Sequence, residues 1–448
     1  MPQPKERQDI RLRQERAVLV ALHTPGYRFD ERDPLGELRA LAETAGTTPV
    51  AELLQRKDHP DPGTFLGSGK LDELKTLCEE SRAGVVIFDN LLSPSQIAAI
   101  EKTVERKVID RCELILDIFA SRATTRQAKL AVELAQLEYT YPRLRAMWSH
   151  LERIVGPGGI AGVGTRGPGE QQLEIDRRLA QRRATMLRRE LEDIHARKRR
   201  EVSSRNAQHF AIGLVGYTNA GKSTLFNALT AGGAYADDKL FATLMTRTRE
   251  WEVDRAVNVM LSDTVGFIRD LPHNLVASFK ATLEEATHAD ALLIVLDVSD
   301  PAAELQYETV SRTLDELEHD AAELDREAGR TYIPAQRIVL LNKADKLRDP
   351  DALVLWGARV PNALPYSALH PTEQQRAALV QTIRNLVAGP TQEVQLAIPL
   401  HLGRLMQDVE RQGHVLSRSY EHDSAIFTLR IGRHHLDRLV ASGASLTQ

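Results

Sequence analysis

The sequence is poor in cysteine. Only Cys78 and Cys112 occur in 448 residues, too few for a disulfide framework and not spaced as a zinc site. Both are expected to be reduced thiols in a cytoplasmic protein. Long apolar runs are missing as well. Ala291–Leu296 is among the longest and is strand-sized, far short of the ~18 residues that cross a bilayer, so nothing calls for a membrane. The opening stretch MPQPKERQDIRLRQER has no apolar core, and no secretory signal is expected there. There is no general excess of positive charge either. With 58 Lys and Arg against 62 Asp and Glu the net charge is −4, so contact with nucleic acid has to come from local patches, and nothing points to DNA. What remains is ordinary globular material, 42% hydrophobic and 27% charged, which excludes a wholly disordered chain. At ~150 residues per domain the length suggests about three domains.

The first ~120 residues alternate strand and helix signals. Ala17–Ala21 and Val85–Phe88 are strand-length apolar runs, and Lys107–Asp110 is a further strand. Leu35–Ala45 follows Asp33-Pro34, a helix-start signal, and Pro94–Arg106 is a helix capped by Ser93. Near Asp117 the pattern changes. Leu130, Leu134, Leu137, Tyr141 and Leu144 recur at spacings of four and three, as do Ala180, Ala184, Leu187, Leu191 and Ile194. These are seams of two long helices. Between them lies GPGGIAGVGTRGPG, residues 156–169, with seven Gly and two Pro, through which neither helix can continue. The expected form is an antiparallel helical hairpin with a glycine-rich tip. From Asp176 to Arg205 there are eleven Lys or Arg against five Asp or Glu. Such a run is either a solvated helix face or, beside a tip carrying Arg166, an RNA contact.

Residues 207–390 alternate strands and helices at Rossmann-like intervals, and 391–448 read as a small β-α-β-β-α unit. His434 and His435 in its last helix point to different faces, which argues against a metal site. The expected organisation is therefore α/β: an N-terminal α/β domain (1–120), a helical hairpin (121–206), a P-loop domain with a Rossmann-like sheet (207–390), and a small C-terminal α+β domain (391–448).

The chemistry is concentrated in the third part. Strand Phe210–Val215 runs into Gly216-Tyr217-Thr218-Asn219-Ala220-Gly221-Lys222-Ser223, and a helix opens at Thr224. This is the G-x-x-x-x-G-K-S phosphate loop in its strand–loop–helix context. Its glycines let backbone amides approach phosphates, and the helix N-terminus adds positive potential. Lys222 would reach the β- and γ-phosphates, and the Ser223 hydroxyl would hold Mg²⁺. Strand Val257–Leu261 delivers Asp263-Thr264-Val265-Gly266, a carboxylate that can hold Mg²⁺ through water and a glycine amide that can sense a γ-phosphate. Strand Ile338–Leu341 delivers Asn342-Lys343-Ala344-Asp345. The Asp345 carboxylate can accept both N1–H and N2–H of guanine, which adenine does not offer, and the Lys343 stem can cover the base. The amide of Ala368, after Ser367, can donate to guanine O6. Four such motifs in this order indicate a GTPase. Thr243 lies between the phosphate loop and Asp263, where a threonine can join Mg²⁺ and order a switch around a triphosphate. Lys222, Thr243 and Gly266 are thus the transition-state and switch candidates, although no catalytic residue is assigned. Position 267, where Ras-like enzymes place a water-orienting Gln, is Phe267. It cannot orient water, so slow intrinsic hydrolysis stimulated by a partner is expected.

Taken together, GYTNAGKSTLFNALT, DTVGFIRDLPHNLVASFKATLEEA, LILDIFASRATTRQAKLAVELAQLEY and GTRGPGEQQLEIDRR resemble the HflX family of bacterial translation-associated GTPases over nearly the whole chain. The resemblance implies a factor that binds the large (50S) ribosomal subunit and its rRNA in its GTP form, with the helical domain toward the peptidyl-transferase region. It further implies splitting of stalled ribosomes, notably under heat stress; a monomer is expected. By the same resemblance Ser223 and Thr243 would be the Mg²⁺ ligands. GTP or GDP would be held by Gly216–Ser223, by Phe241, Ala242, Thr243, Leu244 and Met245, by Asp263–Gly266, by Asn342–Asp345, and by Ser367, Ala368 and Leu369. The sequence departs from the family pattern in LMTRTR where LDPTTR is usual, and in Gln171 of GPGEQQLE where Thr is usual. Residues 301–333 form a longer acidic helical excursion than the pattern leads one to expect. The family has also been linked to ATP through its N-terminal domain. Here Gly67-Ser68-Gly69-Lys70 is too short for a phosphate cradle and reads as the start of a helix. The rival reading is a GTP-regulated ribosome-assembly or RNA-binding scaffold; a thin, basic, glycine-tipped projection favours the first.

Overall fold

The computed structural model describes residues 15–139, 178–194, 196–197, 209–230, 241, 246–254, 257–269, 289–327, 329, 332, 334–347, 351–389, 391–421, 423–432, 436, 439–440 and 443–447. Three sheets form among them. The first contains β1 (Arg16–His23), β2 (Thr48–Arg56), β3 (Val85–Phe88) and β4 (Lys107–Asp110), in the order β2-β1-β3-β4 and parallel throughout. Helices α1 (Gly36–Ala45), α2 (Ser68–Glu80), α3 (Pro94–Val104) and α4 (Arg111–Arg122) cover it. The central strands β1 and β3 are apolar on both faces and buried, as helices on both sides of a parallel sheet require. The patterning also leaves gaps. β2, TPVAELLQR, carries Pro49 and a mixed pattern; it survives as an edge strand, where a missing N–H costs little.

Helix starts follow the capping signals in part. Ser93 accepts from the Gln96 amide, and the Gln96 side chain returns a bond to the Ser93 amide, a full capping box. Asp33, in contrast, does not cap α1 with its side chain. That carboxylate pairs with Arg39 at 2.8 Å, and only the Asp33 carbonyl meets the Gly36 amide. Ser68 to Glu80 is helical from its first residue, and Lys70 is paired with Glu73 at 2.9 Å.

Residues 126–139 form helix α5 and residues 178–194 helix α6. Leu130, Ala131, Leu134, Leu187 and Leu191 share one apolar cluster, joined by Leu137, Ala184 and Ile194. Arg183–Glu133 and Arg188–Glu138, each 2.7 Å, cross between the two helices, as does Arg126–Glu190. The described parts of the two seams therefore meet each other, while Tyr141 and Leu144 lie outside the described residues. The glycine-rich segment 156–169, Arg166 and Gln171 lie outside the described residues.

The second sheet has six strands: β5 (Phe210–Gly216), β6 (Arg247–Glu252), β7 (Asn258–Asp263), β8 (Ala291–Asp297), β9 (Gln336–Asn342) and β10 (Leu364–Pro365), in the order β10-β9-β8-β5-β7-β6. All pair in parallel except β6, which runs antiparallel to β7. Helices α7 (Lys222–Thr230), α8 (Ala303–Glu327), α9 (Asp351–Arg359) and α10 (Glu373–Ala388) accompany it; α8 is the acidic excursion. One apolar cluster joins Leu19, Leu38, Ile115 and Phe119 to Val215, Phe267, Leu292 and Leu341, so a face of the first sheet and a face of the second share a core. The third sheet, β11 (Thr391–Pro399), β12 (His414–Glu421), β13 (Ser424–Gly432) and β14 (Ser445–Thr447), is antiparallel in the order β12-β13-β11-β14 and packs on α11 (Gly403–Gln412). The short β14 was not legible beforehand, and His434 and His435 lie outside the described residues. No helix among the described residues is long and apolar enough to cross a membrane.

The paired seams make a direct test. Leu134→Ala should weaken the α5–α6 contact by about 2–5 kcal/mol. Hydrogen exchange should speed up in both helices together.

Candidate nucleotide site

Strands β7 and β8 lie on opposite sides of β5. In an open parallel sheet the usual place for a ligand is the crevice at the carboxyl ends of the strands, where such neighbouring connections part. Segment 216–223 fills the floor of that crevice. Gly216 has φ +151°, and a Cβ on it would lie 2.2 Å from the Val295 carbonyl oxygen; Gly221 has φ +96°, and a Cβ there would meet Asn342 Nδ2 at 2.3 Å. Only glycine fits at either place.

The loop's carbonyls are drawn outward. Lys222 Nζ donates to the carbonyls of Gly216 (3.1 Å) and Tyr217 (2.7 Å). Lys343 Nζ donates to the Asn219 carbonyl at 3.0 Å, and Asn342 Nδ2 to that of Ala220 at 2.8 Å. The Phe267 amide also donates to the Gly216 carbonyl, and the Thr218 amide donates to the Phe267 carbonyl at 2.8 Å. Carbonyls already engaged by these donors leave the loop's amides to meet anions.

Lys222 is buried, and desolvation lowers its ammonium to about 8 although Asp263 opposes the shift. Ser223 Oγ donates to Asp263 Oδ2 at 2.8 Å. A hydroxyl and a carboxylate oxygen side by side are the hard donors that suit Mg²⁺, which uses few protein ligands and completes its shell with water and phosphate. Thr264 Oγ1 donates to the Leu214 carbonyl at 2.7 Å and holds the loop after β7 against β5. Gly266 lies close to the lysine: a Cβ there would be 3.0 Å from Lys222 Nζ. Val265 is buried in the shared core.

On the other side of the crevice Asn342 is the hinge pin. Its Nδ2 holds the phosphate loop, and its Oδ1 accepts from the Ala368 amide at 2.9 Å. That amide, expected to meet guanine O6, is thus already engaged in joining the loops. Lys343 adopts φ +60° and also meets Asp297 Oδ2 at 2.5 Å. The Ala344 amide donates to the Tyr366 carbonyl at 3.1 Å, and Asp345 is exposed in the 3₁₀ turn Ala344–Lys346. Ser367 is buried and Leu369 is exposed. The structure thus brings together residues 216–223, 263–266, 342–345 and 367–369. Phe241, expected among the nucleotide contacts, turns its ring against Phe119 of α4, with centroids 4.6 Å apart. Ala242, Thr243, Leu244 and Met245 lie outside the described residues. Phe267 is 3% exposed, so its side chain packs in the core.

Two contributions escaped the sequence reading. Asp297 holds Lys343, and its position at the end of β8 was the only available cue. Tyr217 sends its phenol away from the crevice to Glu37 of α1, a partner 180 residues away that no local pattern announces.

The chain was compared with known families, relatives and solved structures. Residues 32–120 match the family model "GTP-binding GTPase N-terminal", residues 122–205 "GTP-binding GTPase Middle Region", and residues 211–343 "50S ribosome-binding GTPase". GTPase HflX of Lacrimispora saccharolytica is 48% identical over 307 residues, 68% of this chain and 71% of its own length. GTPase HflX of Escherichia coli is 40% identical over 393 residues, 87% of each. A solved structure of a GTP-binding protein from Sulfolobus solfataricus in complex with GDP is 25% identical, covering 83% of this chain and 100% of its own, with a TM-score of 0.40. The chain belongs to the HflX family of GTPases; it binds guanine nucleotides and hydrolyses GTP.

The buried lysine makes binding depend on pH. Phosphates supply the negative charge that favours the ammonium form, so binding above about pH 8 requires Lys222 to take up a proton. GTP affinity should be flat from pH 6.5 to 7.5 and fall as pH rises through 8 to 9, approaching tenfold per unit. Calorimetry in buffers of different ionisation enthalpy should detect up to one proton taken up at pH 9 and almost none at pH 7. Lys222→Met should abolish the uptake.

Proposed function

We propose that this chain is a Mg²⁺-dependent GTPase that binds the large ribosomal subunit in its GTP form and separates the subunits of stalled ribosomes, under heat or other stress, as a cytoplasmic monomer. The observation that carries the proposal is the order of three family matches along one chain, the last of them to a 50S ribosome-binding GTPase. The working division is 1–120, 121–206, 207–390 and 391–448, with the basic run 176–205 and the tip 156–169 directed to rRNA.

In this reading Ser223 and Thr243 ligate Mg²⁺, with Asp263 acting through water. Lys222 and the amides of 216–223 hold the β- and γ-phosphates, and the Gly266 amide senses the γ-phosphate. Asp345 accepts from N1 and N2 of guanine while the Lys343 stem lies over the base. Mg²⁺ held by these residues would supply positive charge to the bound phosphates. GTP fixes the conformation that engages the subunit, and hydrolysis releases the factor.

Base choice should follow Asp345. Asp345→Asn is expected to weaken GTP by on the order of 2 kcal/mol and to favour xanthine nucleotides, whose C2 carbonyl can accept from the new amide. Competition between GTP and XTP reads this out, and an unchanged preference for GTP would remove the base-site assignment.

The tip should matter for the ribosome and not for the nucleotide. Replacing residues 156–169 by a short Gly-Ser turn should leave GTP affinity and intrinsic turnover unchanged within about twofold. Subunit separation, followed by light scattering with a non-hydrolysable GTP analogue, should be lost, and Arg166→Ala should lose part of it. Splitting at the wild-type rate by the replaced protein would reduce the hairpin to a spacer. Retention on immature particles without any splitting would favour an assembly role instead.

A further inference from the structure

The most charged buried cluster among the described residues lies between the first sheet and the segment that follows Gly266. Asp89, just past β3, is 2% exposed. Its Oδ1 accepts from Arg111 Nη1 at 2.6 Å, and its Oδ2 from Arg269 Nη2 at 2.7 Å and from the Tyr27 phenol at 2.6 Å. Glu37 of α1 pairs with Arg111 at 2.7 Å and accepts from the Tyr217 phenol. Arg269 is held through its backbone too. Its amide donates to the Tyr217 phenol oxygen at 2.9 Å, and its carbonyl accepts from Arg111 Nη2 at 3.1 Å. Its guanidinium also donates to the Arg28 carbonyl and stands 5.2 Å from the centre of the Tyr27 ring. Burial alone would raise the Asp89 carboxyl, but the two guanidiniums hold it below the usual carboxylate range.

A buried ionic cluster is a weak way to gain stability compared with apolar packing, but its directional bonds fix one arrangement. The residues it joins are informative. Tyr217 is the second residue of the phosphate loop, and Arg269 is the third residue after Gly266. Only Phe267 and Ile268 separate Gly266 from Arg269, and the backbone of Phe267 is bonded to Gly216 and Thr218, so a shift of the Gly266 amide toward a γ-phosphate is passed to Arg269 over a short, pinned segment. A cavity of about 320 Å³ bordered by Asp33, Glu37, Thr218, Asn219, Arg269 and Gln306 adjoins the cluster and gives these side chains room to rearrange.

We infer that Arg269 is a positioning residue through which the nucleotide state at Gly266 is coupled to the N-terminal sheet, the link being Arg269 to Asp89 and Tyr217 to Glu37. Exchange of GDP for GTP then changes how firmly segments 27–37 and 85–92 are held. By linkage, a partner that grips the N-terminal sheet changes the relative affinity for the two nucleotides by the same factor. The inference rests on the GTPase activity and is independent of the ribosome proposal.

The test is hydrogen exchange on the full-length protein loaded with GDP or with a non-hydrolysable GTP analogue. In the wild type, peptides covering 27–37 and 85–92 should exchange at rates that differ severalfold between the two nucleotides. In Arg269→Gln that difference should disappear, and the ratio of analogue to GDP affinity should shift about fivefold or more. Tyr217→Phe, which keeps the ring and removes its hydrogen bonds, should reduce the difference partway and serves as the second arm if Arg269→Gln fails to fold. Identical exchange with both nucleotides in the wild type would overturn the inference. So would a full wild-type difference persisting in the folded Arg269→Gln or Tyr217→Phe protein.

Discussion

Loop 216–221 does not hold its shape by itself. To present amides to phosphate, its carbonyls must be turned away and satisfied elsewhere, because unpaired buried carbonyls are costly. Those of Gly216, Tyr217, Asn219 and Ala220 are satisfied by Lys222, Lys343, Asn342 and the Phe267 amide. The donors come from the following helix, from the end of β9 and from the segment after β7. The fold of residues 210–389 can be read as the means of bringing these donors to one end of β5. Parallel pairing of β7, β5, β8 and β9 puts all their carboxyl ends on the same side, which an antiparallel sheet would not do.

The same arrangement fixes the residue that follows Gly266. Phe267 is committed twice, its backbone to the phosphate loop and its ring to the core. It therefore cannot swing out to orient a water molecule. The loop beyond it runs into the charged cluster at Arg269 and so into the first sheet. The segment after Gly266 thus joins the phosphate loop to the N-terminal part of the chain.

Much of this was legible in the sequence because it rests on local chemistry. Central strands such as FAIGLVG and ALLIVLD are apolar on both faces, and the phosphate loop, DTVG and NKAD motifs each sit at a strand end. The leucine seams of α5 and α6 were visible for the same reason, since periodicity is a local signal. What was not legible depends on partners far along the chain. β2 was obscured by Pro49 and by an edge strand's mixed pattern. Asp33-Pro34 announced the start of α1, but not that the Asp33 carboxylate would pair with Arg39. The Ala368 amide looked free for a base until Asn342 was placed beside it. The Asp89–Arg111–Arg269 cluster spans 180 residues, and no spacing rule connects its members.

The claim that hydrolysis waits on a partner is open to one decisive measurement. Single-turnover GTP hydrolysis by the purified protein should be followed alone, with small ribosomal subunits and with large ones. The account predicts a slow rate alone, little change with small subunits and a rise of at least tenfold with large subunits. Equal rates in all three would contradict it.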